Sequence, residues 1–164
     1  MRDKISESRV QLLHPLIRNE VKQLIEKAES IISPSLSIRI VQGLRTIEEQ
    51  NALHAIGRTK PGKIVTNAVG GLSYHNYGLA IDFAFITPDK EISWDIQKDW
   101  DGDHISDWKE TVNVFKSAGY EWGGDWTSIK DYPHFQKTFG YNVRTLLGRY
   151  TAKNFIQGTK YVNL

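Results

Sequence analysis

The chain has 164 residues with no cysteine, 40% apolar and 24% charged residues, enough for one domain with its own core and too few for a second. Without cysteine it can form neither a disulfide nor a thiolate metal site, so a tightly held metal must rely on imidazole and carboxylate ligands. A net charge of +2 from 21 basic and 19 acidic residues excludes the basic bias of a nucleic-acid binder, and MRDKISESRVQLLHPLIRNE lacks the apolar run of a signal peptide or membrane span.

From Pro15 onward, Ile17, Val21, Leu24, Ile25 and Ala28 recur at helical spacing, and proline suits a first helical turn. Leu36, Ile38 and Ile40 then alternate with Ser37, Arg39 and Val41, which predicts a strand ending at Gly43. Thr46 and Glu49 have capping-box spacing, so a helix is expected to about Ile56 with Gly57 as its stop. Arg58 to Lys63 reads as an exposed basic loop, followed by a short strand near Ile64 to Thr66. Leu79 to Phe85 is apolar except for Asp82. Trp108, Val112 and Phe115 follow a helical period that Gly119 ends, and Tyr120 to Trp122 reads as a strand. Strands and helices do not alternate regularly, so the class is α+β.

Chemistry concentrates in Ser73-Tyr-His75-Asn-Tyr-Gly78-Leu-Ala80-Ile-Asp82, and in Glu121-Trp-Gly-Gly-Asp-Trp126 through Asp131-Tyr-Pro-His134-Phe-Gln136. A carboxylate inside an apolar strand is costly to bury unpaired, so Asp82 calls for a cation, a metal or several donors. Its alternative is a carboxylate that caps backbone amides or pairs with Arg45. Two imidazoles and a carboxylate form a common set for catalytic zinc. Pro133 keeps Asp131 and His134 on extended backbone, so that one of them can bind metal while the other faces the bound water. For Trp122 and Trp126, core or rim packing outweighs contact with substrate.

These motifs together resemble the D-alanyl-D-alanine peptidase superfamily with the hedgehog/DD-peptidase fold, over roughly residues 8 to 147. Within it the chain is most similar to the L-alanyl-D-glutamate endopeptidases of phage endolysins and bacterial wall hydrolases. The resemblance implies a small, mostly antiparallel sheet flanked by helices; length sets one domain over 1–164, and Leu146, Leu147 and Phe155 are expected to pack a tail from 148 to 164 back onto it. The resemblance also implies one zinc ion held by His75, Asp82 and His134, with Asp131 as general base. Arg45 falls where relatives polarise the scissile carbonyl, its alternative being a structural partner of Glu48 or Glu49. Ser73 and Trp126 are weaker candidates for substrate contact, and Ser73 serves equally as a turn former.

The implied partner is the peptidoglycan stem peptide, with no nucleic acid, no membrane span and a monomeric state. A D-alanyl-D-alanine carboxypeptidase or dipeptidase on the same metal site is the enzymatic alternative, and a zinc-bearing binding module without turnover is the non-enzymatic one. The lack of a leader suits a phage or prophage lysis enzyme made in the cytoplasm and acting on the wall, although a mature form stripped of its leader would look the same. Asp99, Asp101, Asp103, Asp107 and Glu110 occupy positions one, three, five, nine and twelve of a calcium-type loop, but His104 stands where that loop needs glycine. A solvated loop whose last acids cap the next helix is therefore preferred to a calcium site.

Overall fold

The computed structural model describes residues 1–164, and its organisation follows from where the apolar periodicities meet. Helix α1 (Lys4–Gln11) precedes helix α2 (Pro15–Glu29), which begins with Pro15 in its first turn and His14 as N-cap. Helix α2 buries Ile17, Val21, Leu24, Ile25 and Ala28, the positions its spacing predicts. Strand β1 (Ser37–Gln42) buries Ile38 and Ile40. Helix α3 (Ile47–Ala55) opens on a complete capping box: Thr46 Oγ1 accepts from the Glu49 amide, and the Glu49 carboxylate accepts from the Thr46 amide. Such a cap contributes about 1 kcal/mol.

Strand β2 (Ala80–Ile86) is the centre of the sheet and pairs with β1 along one edge. Its other edge is shared by β3 (Ile92–Ser93) at one end and β5 (His134–Gln136) at the other, and β4 (Glu121–Trp122) pairs on β5. All of these pairings are antiparallel, and helix α4 (Asp107–Ser117) packs on α2, giving the expected α+β architecture.

The period of two in β2 determines where the site lies. Ile81, Phe83 and Phe85 belong to the buried cluster that includes Trp108 and Phe115 of α4 and Phe135 of β5. Ring centroids are 4.2 Å apart for Phe83 and Trp108 and 4.6 Å apart for Phe115 and Phe135, contacts each worth about 0.5–1.5 kcal/mol beyond their buried area. Ala80, Asp82 and Ala84 consequently lie on the opposite face. Asp82 is thus half-buried on the side of the sheet away from the aromatic core, rather than inside it.

Two helices fall outside the elements expected from the sequence. Helix α1 buries only Ser6 and Val10. Polar anchors hold it instead: Asp3 accepts from the Ser6 amide at 2.7 Å and pairs with the Arg39 guanidinium at 2.8 Å, while Ser6 Oγ accepts from the Ile40 amide at 2.7 Å. Helix α5 (Val143–Thr151) buries Leu146, and the chain then returns so that the Val162 carbonyl accepts from His14 Nε2–H at 2.9 Å.

The strand expected near Ile64 to Thr66 does not form. Ile64 and Val65 are 57% and 59% exposed and pair with no strand, because β propensity without an edge to pair on makes no strand. Arg58 pins this loop, donating to the carbonyls of His54 at 2.7 Å and Thr66 at 3.0 Å. No helix is long and apolar enough to cross a membrane.

Candidate metal centre

His134 and Asp82 are cross-strand partners in the β5–β2 ladder, so their side chains share the face opposite the aromatic core. His75 arrives from a different element, the 3-10 turn Tyr74–Tyr77. Ser73 caps this turn by accepting from the His75 amide at 3.4 Å, so its hydroxyl orients the backbone that carries the imidazole and leaves the ring alone. The turn is tied to the chain after β1, since the Arg45 amide donates to the His75 carbonyl at 3.0 Å and Asn76 Nδ2 donates to the Arg45 carbonyl at 3.0 Å.

Three donor atoms converge. Asp82 Oδ1 lies 3.2 Å from His75 Nε2 and 3.0 Å from His134 Nδ1, and the two nitrogens are 3.3 Å apart. Tetrahedral zinc with ligands at 2.0–2.1 Å separates its donors by about 3.3 Å. The outer nitrogens are both occupied: His75 Nδ1–H donates to the Gly43 carbonyl at 2.8 Å, and His134 Nε2–H donates to Gln136 Oε1 at 3.0 Å. In the neutral rings this leaves both lone pairs aimed at Asp82, the arrangement of metal-ligating histidines. His75 and His134 are 3% and 6% exposed, so the centre opens to solvent only on the cleft side. The residues fit a divalent cation.

Electrostatics point the same way. Burial pushes the Asp82 carboxyl up, but the charge of His75 and the hydrogen bonds from both imidazoles outweigh it and hold the group below the usual carboxylate range. Burial pushes His134 down, and Asp82 more than reverses this, leaving its pKa raised. Asp82 neither caps backbone amides nor pairs with Arg45.

The centre lies in a cleft of about 590 Å³ that Arg45, Ser73, Trp126 and Asp131 also line. The Asp131 pKa is raised, first by burial and then by the charge of Asp82, against the pull of His134, His75 and Arg45. The glycine pair between the tryptophans places it: a Cβ on Gly123 would lie 2.3 Å from the Asp131 carbonyl oxygen, and one on Gly124 would lie 2.2 Å from the Trp122 ring. The Asp131 amide donates to the Gly123 carbonyl at 3.1 Å. Trp122 is a packing residue, its Nε1–H donating to the Tyr132 carbonyl at 2.7 Å. Trp126 sits nearer the centre, its ring 5.1 Å from that of His134.

Arg45 Nη1 donates to Gln50 Oε1 at 2.9 Å, and its Nε is buried with no partner in the protein. It pairs with neither Glu48 nor Glu49, and the latter is committed to the α3 cap. Sequence reasoning misses the Gly43 carbonyl and the pairing of Gln136 with Glu121. The first is a backbone contact with no side-chain signature, and the second becomes visible only through strand register.

The acidic loop lies apart from this cleft. Carboxylate oxygens of Asp99, Asp101 and Asp103 lie within 4.8 Å of one another, but they accept from the loop's own amides: Asp99 from Gly102 at 2.7 Å and His104 at 2.8 Å, and Asp103 from Ile105 at 2.7 Å. His104 adopts the left-handed φ of 74° that the glycine position requires. Ser106 caps α4, while Asp107 is fully buried and accepts from the amides of Ser33 at 2.7 Å and Trp100 at 2.8 Å.

Comparison with known proteins agrees with this geometry. A family model described as D-alanyl-D-alanine carboxypeptidase matches residues 66–137. The chain is 46% identical over 124 residues to the peptidoglycan L-alanyl-D-glutamate endopeptidase CwlK of Bacillus subtilis, a match covering 76% of this chain and 72% of that protein. It is 30% identical over 125 residues to the L-alanyl-D-glutamate peptidase of Listeria phage A118, covering 76% of this chain but 38% of the phage protein. The crystal structure of the Serratia marcescens L-Ala D-Glu endopeptidase ChiX superposes with a TM-score of 0.53 at 26% identity, over 83% of this chain and 88% of that one.

Proposed function

Since the chain belongs to the L-alanyl-D-glutamate endopeptidase branch of the D-alanyl-D-alanine peptidase superfamily, we propose that it is a zinc-dependent peptidoglycan endopeptidase that hydrolyses the L-alanyl-D-glutamate bond of the stem peptide. The observation that carries this reading is the in-register pair of Asp82 and His134, completed by His75 into a triangle of donors at tetrahedral spacing, with Asp131 in the same cleft.

His75 Nε2, Asp82 Oδ1 and His134 Nδ1 are the atoms that would hold the ion. Zinc bound there supplies Lewis acidity for the scissile carbonyl and for the attacking water. Asp131 takes a proton from that water as its oxygen adds to the L-alanyl carbonyl carbon. It then delivers the proton to the D-glutamyl nitrogen as the C–N bond breaks, the shuttle a positioned carboxylate performs. Burial and the charge of Asp82 raise its pKa, which makes it a stronger proton acceptor than an ordinary carboxylate. Arg45 lines the same cleft, and its guanidinium is the donor for the oxyanion. Trp126 and Ser73 form part of the wall against which the peptide lies.

Digestion of purified peptidoglycan followed by mass spectrometry tests the reading. New D-glutamyl amino termini support it. Release of D-alanine with stems otherwise intact would move the chain to the carboxypeptidase activity named in the description of the matching family model.

A further inference from the structure

His134 and Gln136 are two residues apart on β5 and therefore share a face, and the cross-strand partner of Gln136 is Glu121 on β4. Gln136 is 8% exposed, and its Nε2 donates to Glu121 Oε2 at 2.8 Å while its Oε1 accepts from His134 Nε2–H at 3.0 Å. Each link leaves one choice. A carboxylate only accepts, so Glu121 can be met only by the amino end of the Gln136 amide. The carbonyl end is thereby turned to His134. A carbonyl also only accepts, so the hydrogen of the neutral imidazole must sit on Nε2, which leaves the Nδ1 lone pair facing Asp82 and His75.

We propose that Glu121 and Gln136 are positioning residues for the metal centre: Glu121 orients the Gln136 amide, and the oriented amide fixes the His134 tautomer that presents Nδ1 to a divalent cation. His75 needs no such device, because the Gly43 carbonyl holds its outer nitrogen and a peptide group cannot invert. A side-chain amide can invert, and an inverted Gln136 would turn its amino group toward the imidazole and favour the tautomer whose lone pair points away from the centre. The inference rests on reading His75, Asp82 and His134 as metal ligands.

Zinc binding by chelator competition, read beside the NMR signal of the His134 Nε2 proton in the zinc-loaded protein, tests it in Glu121→Gln, Gln136→Leu and the exchanged pair Glu121→Gln/Gln136→Glu. Gln136→Leu is expected to weaken zinc binding by about 10–100-fold and to lose the protected Nε2 proton. Glu121→Gln, which permits either amide orientation, should lose about 10-fold. The exchanged pair should recover both signals, because a carboxylate at position 136 again only accepts from the imidazole. Wild-type affinity in both single variants, or an exchanged pair no better than Glu121→Gln, overturns the proposal. Glu121 is exposed, so if Gln136→Leu unfolds, Glu121→Gln and the exchanged pair still decide the question. A wild-type protein that binds no zinc removes the metal reading itself, and this inference with it.

Discussion

Asp82 on β2 and His134 on β5 stand directly across from each other in an antiparallel ladder, with Asp82 Oδ1 3.0 Å from His134 Nδ1. Ladder register alone therefore fixes two of the three proposed ligands, and only His75 depends on the placement of a separate turn. Asp82→Asn keeps the shape and removes the charge. The variant should fold but fail to retain zinc through dialysis, as read by metal content per chain; one zinc per chain would remove Asp82 from the ligand set.

Protons and zinc compete for the same atoms. The pKa of His134 is raised above its ordinary 6.5, so zinc affinity should decline with falling pH from above that value. Chelator competition across a pH series measures this, and an affinity flat down to pH 6 would contradict the raised pKa.

Asp131→Asn should keep stoichiometric zinc while wall hydrolysis, followed as turbidity loss, falls by about 10²–10⁴-fold. The sign of its stability effect also follows. The folded-state pKa of Asp131 is raised, so its contribution is fully present below the unfolded value and is lost as pH rises through the folded one. The metal-free Asn variant should therefore melt higher than wild type near neutral pH, and a lower melting temperature would contradict the burial argument.

Most of the fold is legible where one apolar period dominates, as in α2 and α4, or where local chemistry is explicit, as in the Thr46 cap. Polar anchorage hides α1, since Asp3, Ser6 and Arg39 leave no apolar stripe. Ile64 and Val65 mislead because strand propensity says nothing about a free edge. The two acidic motifs are visible as composition, but residue chemistry alone leaves Asp131 and His134 interchangeable as ligand and base, and the resemblance separates them. Asp82 and His134 are 52 residues apart, and only pairing register shows that they meet. The alternation of Ile81, Phe83 and Phe85 already puts Asp82 on the opposite face, so the acid in an apolar run is a half-buried residue at a cleft.

Arg45→Met retains the aliphatic stem and removes the guanidinium from the cleft wall. Zinc content should be unchanged and kcat should fall by about 10²–10³-fold, the usual cost of losing an oxyanion donor. An unchanged kcat would reduce Arg45 to a partner of Gln50.

Glu110 gives a pH test outside the cleft. Burial, reinforced by Asp103, Asp101, Asp107 and Asp99, pushes its carboxyl up to about 7, and its Oε2 is buried without a partner. Because the folded value is raised, the stability it contributes is present below the unfolded pKa and lost as pH rises through about 7. Glu110→Gln should therefore stabilise the protein at pH 8 by about 1 kcal/mol, a figure discounted for the group's partial exposure, and should give no gain at pH 4. Urea melts at the two pH values read the difference, and equal effects at both would remove the acidic cluster as its cause.

Mass spectrometry of muropeptides from purified wall, digested by the zinc-loaded protein, the chelated protein and Asp131→Asn, decides which bond is cut and whether zinc and Asp131 cut it. New D-glutamyl amino termini are expected with the zinc-loaded protein alone. Equal cleavage by the chelated protein, or products in which every L-alanyl-D-glutamate bond is intact, would contradict that expectation.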